Sequence, residues 1–438
     1  MKKIIAALAA LLAASAICRA QDFQTGYFLK DYVFAYKLNP AFRPDKSFVG
    51  LPALGNISVR TGGNVGIDNF LFPLSNGKLG TFLHPEVSAS EFLGPLGKRN
   101  KISAGASVNL LAVGVKSKFL YHTFDVGLRS VNSLSVPYEM FSFMKEGLDG
   151  TVNIPDIKFG SSTFVEVGYG VNFKIGNIFS AGVRVKGLVG LMNARMDVSN
   201  LSVTSAGGNW TITAEGTFRG AVKGVTVPTK LNDEGQEIID LSNLAGDIDG
   251  IDSPAGMGGA VDLGICFSPL PKLEISASLT DLGGIRWSNN VNGKTASSSW
   301  TYDGDNDDVL DELASIMEFR KQDEDKKFLM LPATARIGAK YGILPFLDAG
   351  LLLSHGFGGV PWNEARLSAN LALLKTLNLT GAAAYGDFGF SWGVALDLNL
   401  RVINIFIGAD SIPTRFTPQY IPLGKPNLAL AFGLNITI

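Results

Sequence analysis

The chain has 438 residues, 46% of them apolar and only 18% charged, with glycine at 51 positions; soluble proteins usually carry about 25% charge and about 7% glycine. Lys and Arg total 38 against 39 Asp and Glu, a balance that leaves no footprint for nucleic acid. Two cysteines are too few for a disulfide scaffold or a cysteine-built metal site.

In chain order, the first element is a leader. Lys2 and Lys3 precede an apolar run from Ile4 to Ile17, and Cys18-Arg19-Ala20 stands before Gln21. This reads as a Sec signal peptide, residues 1–20, cut after Ala20. The run is shorter than the ~20 residues of a spanning helix, and the bulky Ile17 before Cys18 argues against lipoprotein processing. Cleavage removes Lys2, Lys3 and Arg19, leaving 38 − 3 = 35 basic residues against 39 acidic. Cys266 then stands alone, so no intramolecular disulfide is expected.

Residues 21–53 hold Asn39-Pro40-Ala41-Phe42, Pro44 and Pro52. Such proline punctuation is poor material for a central sheet, and the segment reads as a periplasmic extension or a lumen plug. From Leu54 to Ile438 the dominant signal is a period of two. Val165, Val167, Tyr169, Val171, Phe173 and Ile175 alternate with Glu166, Gly168, Gly170, Asn172 and Lys174. The pattern recurs at 179–186, 261–267, 334–343 and 390–399, and most cleanly at 428–438, where Leu428, Leu430, Phe432, Leu434, Ile436 and Ile438 share one face.

No run of 18 apolar residues follows the leader, so spanning helices are not expected. Runs of about ten alternating residues match tilted strands that cross a bilayer. A soluble β-sandwich also alternates, but its strands cluster near five or six residues, and the small residues on the second face suit a crowded lumen. The reading is an all-β chain: residues 54–438 form a transmembrane antiparallel β-barrel of about 14 strands (range 12 to 16), with short helices in loops. An even count lets both termini lie on the periplasmic side, where the short turns belong. Parity makes Gly176-Asn177-Ile178 a three-residue hairpin link; short links are also expected around Pro269–Lys272 and Leu344-Pro345.

Three stretches break the pattern. Residues 138–146 read as a short amphipathic helix, and 222–258 as a polar connection. Between Asp307 and Gln322 the spacing turns helical, with Val309, Leu310, Leu313, Ile316 and Met317 on one stripe, giving a helical loop insertion near 305–323. The preceding Asp303, Asp305 and Asp307 resemble a calcium loop, but Asp308 stands where glycine is needed and Ala314 where glutamate is needed. Capping of a loop helix by acidic residues explains them better.

Parity also places charges in the lumen: Glu166, Lys174, Arg184, Lys186, Asp262, Glu274, Arg336, Lys340 and Asp397. They are expected to pair across the interior; the alternative is the lining of a narrow, weakly ion-selective path. Trp287, Trp362, Phe388, Trp392 and Phe406 read as interface aromatics. His84, His122 and His355 are far apart, and Ser354-His355 point to opposite faces of a strand. No nucleophile-elbow, phosphate-loop or dinucleotide fingerprint occurs, so no enzyme, cofactor or metal is expected.

Four signatures carry a resemblance: Leu38-Asn39-Pro40-Ala41-Phe42; Phe124-Asp125-Val126-Gly127-Leu128-Arg129-Ser130 leading to Leu134-Ser135-Val136-Pro137; Val261-Asp262-Leu263-Gly264 with Asp281-Leu282-Gly283-Gly284-Ile285-Arg286-Trp287; and Ala409-Asp410-Ser411. In this order the chain resembles uncharacterised outer-membrane barrels of Bacteroidota, of the domain-of-unknown-function 5723 type, distantly similar to FadL-type transporters. The resemblance implies that Asn39, Pro40, Ala41 and Phe42 lie in a plug in or beneath the lumen. It implies an outer-membrane location, with outer-membrane lipid and the barrel-assembly machinery as partners. Two functions fit: a FadL-like porter for small or hydrophobic molecules, its substrate unidentified, or a structural or docking barrel for surface-protein export or envelope assembly, with an unknown envelope or surface-protein partner.

Overall fold

A computed structural model describes residues 23–147, 150–176, 178–206, 209–222, 229–232, 235–239, 253–295, 298–302, 319–323, 325–358, 361–374, 376–387, 389–412, 415–416, 422–423 and 428–438. The leader, most of the 305–323 insertion and the carboxylates Asp303, Asp305 and Asp307 lie outside these residues.

Alternating apolar and small residues build a closed antiparallel barrel of 14 strands. Strand β1 is interrupted, Phe48–Gly50 and Ile57–Gly63; then come β2 Arg99–Lys116, β3 Leu120–Pro137, β4 Ile157–Ile175, β5 Phe179–Ala206, β6 Gly256–Leu270 and β7 Leu273–Asn289. The second half is β8 Thr334–Leu344, β9 Leu347–Gly356, β10 Trp362–Leu374, β11 Leu377–Gly386, β12 Gly389–Leu400, β13 Ile403–Asp410 and β14 Ala429–Thr437. Each strand pairs with the next, and β1 closes the ring by pairing β14 at Phe48↔Thr437 and β2 at Phe48↔Gly114. Closure matters because hydrocarbon offers no partner to an unpaired main-chain group. Even the break at 51–56 stays bonded: Leu434 donates its N–H to the Leu54 carbonyl (2.9 Å), and Ala53 donates to Asn109 (3.0 Å).

Outward positions carry the large apolar side chains, among them Leu367 (63% exposed) and Ile407 (56%). Aromatic side chains flank this band. Tyr385, Phe390, Trp392 and Phe357 stand at one end, and Phe119, Phe173, Tyr341 and Phe346 at the other. Such girdles mark the two bilayer interfaces. The second end holds the short turns, including Ile175 to Phe179, Leu270 to Leu273 and Leu344 to Leu347. Phe48 and Thr437 lie at that end too, so the wall begins and ends on the short-turn side.

The opposite, long-loop end is elaborated. Above Gly190, β5 leaves β6 and pairs residues 192–206 with the strand Asn209–Val222, which in turn pairs Val291–Thr295 and Ser298–Tyr302. The sheet therefore rises beyond the membrane. Helix α1 (Ala89–Leu93) and helix α2 (Tyr138–Glu146) pack there in an aromatic cluster of Phe70, Phe72, Phe82, Phe92 and Phe141.

Three readings need correction. Residues 48–50, inside the proline-rich stretch, belong to the wall, because the interruption of β1 takes up Pro52. Residues 319–322 are not helical; they pair with 292–295, where Phe319 is fully buried against Gly293. The 222–258 connection contains a hairpin, Thr229–Leu231 with Glu237–Ile239, and the wall resumes inside it at Gly256.

Candidate functional site in the barrel lumen

Residues 23–46 fill the lumen. The aromatic side chains of this segment make its core: Phe23, Tyr27, Phe28, Tyr32, Phe34 and Tyr36 are all at most 7% exposed and pack against Phe48 and Phe406 of the wall. Burial pushes the Tyr36 phenol well above its ordinary pKa, so its hydroxyl stays protonated and donates to Asp125 (3.5 Å).

The Asn39-Pro40-Ala41 turn is held through its main chain. Asn39 Oδ1 accepts the Ala41 N–H (2.9 Å), which closes the turn locally. Ser278 donates to the Leu38 carbonyl (2.8 Å), Asn172 to the Pro40 carbonyl (3.0 Å) and Ser180 to the Ala41 carbonyl (2.8 Å). This approach requires bare backbone on the wall. Gly182 of β5 and Gly264 of β6 face each other across the ladder, and a Cβ on either would collide with Pro40 or Asn39.

A buried charge network crosses the lumen just above. Arg184 donates to Glu166 (2.6 Å), Asp125 (2.8 Å) and Asp262 (3.0 Å). Lys186 bridges Asp262 and Asp281, both at 2.6 Å, and Arg129 clasps Glu166 (2.7 Å) and Asp281 (2.9 and 3.0 Å). From the segment itself, Lys37 reaches Asp125 (2.9 Å). In these contacts four cations meet four carboxylates, and pairing of this kind is the condition under which buried charge is tolerated; buried Arg60 borders the same space.

A second cluster grips the start of the segment. Asp410 accepts the main-chain N–H groups of Gln24 (2.6 Å) and Thr25 (3.2 Å), the Thr25 hydroxyl, and Arg366 (2.8 Å). Arg336 donates to the Gln24 side chain (3.0 Å), and Arg366 also meets Glu364 (2.9 Å).

Of the nine charges placed in the lumen by parity, Glu166, Arg184, Lys186, Asp262, Arg336 and Asp397 are buried there. Asp397 sits apart, accepting from Asn404 (2.7 Å). Lys174, Glu274 and Lys340 line the short-turn mouth instead, where Lys340 pairs with Glu274 (3.2 Å). Of the network's other members, Asp125, Arg129 and Asp281 stand within the quoted signatures without an assigned role, and Lys37 stands just before the first of them. For Asp281 parity fails outright: adjacent Thr280 and Asp281 are both buried, at a register slip where Asp281 has φ +62°. The slip reverses the phase of β7 beyond it, so Trp287 turns inward (1% exposed). Trp362 (4%) and Phe406 (0%) face inward as well. Of the expected interface aromatics, Trp392 faces outward and Phe388 lies outside the described residues.

Two cavities flank this filling. One of about 420 Å³ opens at the short-turn mouth, and one of about 510 Å³ lies toward the long loops. Positions along β5 mark the layers: Ser180 lines the lower cavity, Arg184 and Lys186 hold the network, Leu188 belongs to an apolar layer, and Arg195 lines the upper cavity. Ser354 points inward, within 3.4 Å of Gln24, whereas His355 faces out and meets Asn363 (2.8 Å). Among the described residues no three His, Cys, Asp or Glu side chains group as metal ligands.

Among solved structures the chain is similar to a Pseudomonas aeruginosa FadL homologue (12% identity, 94% of this chain and 95% of that chain, TM-score 0.45). The Pseudomonas putida toluene transporter TodX is also similar (9% identity, 92% and 93% covered, TM-score 0.45). No curated protein matches the sequence. A family model described as a family of unknown function, DUF5723, matches residues 40–410, from the Pro40 turn to the Asp410 carboxylate, and the chain belongs to that family.

Proposed function

We propose that this barrel is an outer-membrane porter for small molecules, with residues 21–45 as its plug and residues 1–20 as a leader removed on export. The observation that carries the reading is the seat of the segment. It lies between two cavities at opposite ends of the lumen and is held by hydrogen bonds donated by Ser180, Asn172 and Ser278 and accepted by Asp410. Water can replace a neutral bond of this kind at a net cost of about 1 kcal/mol, so on this reading the larger part of what opening must overcome is the buried aromatic core from Phe23 to Tyr36. Outer-membrane lipid surrounds the barrel on this reading, and the assembly machinery inserts it.

The test is single-channel recording in planar bilayers of the full chain and of a form lacking residues 21–45. The porter reading expects a closed or low-conductance full chain and a conducting deletion; silence from both would defeat it. A second reading, a docking barrel for envelope assembly or surface-protein export, draws on the sheet that rises beyond the membrane at the long-loop end. It expects a stoichiometric partner in a mild-detergent pull-down, and recovery of the barrel alone would count against it.

A further inference from the structure

Seven carboxylates of the described residues are buried, and six of them meet a cation. Asp125, Glu166 and Asp262 share Arg184, Asp281 holds Lys186, and Glu364 and Asp410 share Arg366. Asp397 is the exception. It is 0% exposed and takes one hydrogen bond from the Asn404 amide (2.7 Å), while its Oδ1 has no partner among the described residues. The charged side chain that acts on it is a second acid, Asp31 of the lumen segment. Asn378 links the two: it donates to Asp31 (3.2 Å) and stands directly opposite Asp397 in the ladder.

Around Asp397 the wall supplies oxygen rather than positive charge. Asn399 follows it on the same face of β12, Asn404 of β13 lies opposite Asn399, and Asn435 of β14 lies opposite Asn404. Asn435 donates to Asn404 (3.4 Å), but its own amide oxygen, in a side chain 0% exposed, is buried without a partner, as is the amide oxygen of Asn399. Three unpartnered oxygens, one of them on a carboxylate, therefore stand on strands spaced about 5 Å apart. Such hard donors suit calcium, which takes about 6–8 oxygen ligands, waters included, in flexible geometry. Asp31 and Asn378 both line the cavity at the short-turn mouth, which gives an ion its route. We propose that this row binds a divalent cation of calcium's size, with Asp397 as the charged ligand and Asn399 and Asn435 as amide ligands, and that the ion draws Asp31 to the wall. The ion offsets a buried charge that no side chain compensates and turns the repulsion between two acids into a shared attraction. Magnesium fits less well, because it demands near-ideal octahedral geometry and sheds water reluctantly. The site stands whether or not the barrel transports.

The experiment places the full chain, washed with EDTA, in phosphatidylcholine nanodiscs and follows terbium luminescence, with protein-free discs subtracted. Tyr32 is a built-in sensitiser: it packs on Phe406 (4.9 Å), which opposes Asp397 in the ladder. Calcium should displace terbium at a concentration roughly tenfold below that of magnesium. Asp397→Asn keeps the shape of the side chain and should remove the calcium-competed signal, whereas Asp348→Asn, at the same mouth, should leave it. A signal indifferent to Asp397→Asn, or no calcium-competed signal in the unaltered chain, as a proton on Asp397 in place of a metal would give, overturns the proposal. Heat-modifiable gel mobility shows whether the variant has folded. Should it not fold, Asn435→Ala decides instead: a loss of roughly tenfold in affinity is expected, and an unchanged affinity overturns the site. Calcium should also slow trypsin cleavage at Lys30, beside Asp31, in the unaltered chain and not in Asp397→Asn; cleavage equal with and without calcium would overturn the tie between Asp31 and the wall.

Discussion

The two polar clusters of the lumen are built from the same chemistry and hold different things. In the Arg184 network seven of eight charges come from strands β3 to β7, and only Lys37 belongs to the N-terminal segment. It ties wall to wall. In the Asp410 cluster the carboxylate is spent on two main-chain N–H groups and a hydroxyl of that segment, with Arg366 as the counter-charge. It ties wall to contents. A barrel with a filled interior thus separates the parts that keep its cross-section from those that keep its occupant.

That division makes distinct demands on substitution. Arg184→Met removes the centre of the wall network and leaves Asp125, Glu166 and Asp262 buried without it; losing one partner of such a set costs about 3–5 kcal/mol. The expected result is a barrel that unfolds at markedly lower temperature by heat-modifiable gel mobility, and an unchanged midpoint would show that the network does not brace the wall. Gly264→Leu strikes the seat of the Pro40 turn instead. Overpacking of this kind costs about 1–3 kcal/mol, and the segment should become open to trypsin at Lys30 and Lys37 while the barrel itself stays resistant. Asp410→Asn should act in the same direction but more locally, loosening the first residues by about 1–3 kcal/mol, visible as earlier cleavage at Lys30 than at Lys37. Lys340→Gln, at the half-open mouth, removes a pair worth under about 1 kcal/mol and should leave both assays unmoved; a large effect there would blur the proposed separation.

Much of the wall was legible from alternation, since one period places apolar side chains toward lipid and small or charged ones inward. The strand number and the lumen position of Arg184, Lys186 and Asp262 follow from that rule alone. It failed where the ladder slips. The backbone at Asp281 adopts a positive φ and lets two successive residues face the same way, which no side-chain pattern announces; Trp287 was misplaced for that reason. Phe406 and Trp362 were misread on a different ground. An aromatic side chain serves girdle or filling equally well: Trp362 begins its strand, and Phe406, in mid-strand, is claimed by Tyr32 and Phe34 of the lumen segment (ring centroids at 4.9 and 5.8 Å). The Asp410 grip was illegible because its partners are main-chain groups more than 380 residues away.

The facing glycines at 182 and 264 have one more consequence. They present the segment with a trough of naked peptide, and glycine gives up more chain entropy on ordering than any other residue. While the Pro40 turn lies in the trough, the turn itself supplies the missing bulk. Once it leaves, solvent enters the groove and the flanking ribbons gain freedom to breathe, so an emptied lumen would behave as a compliant conduit with fluctuating bore rather than a rigid tube.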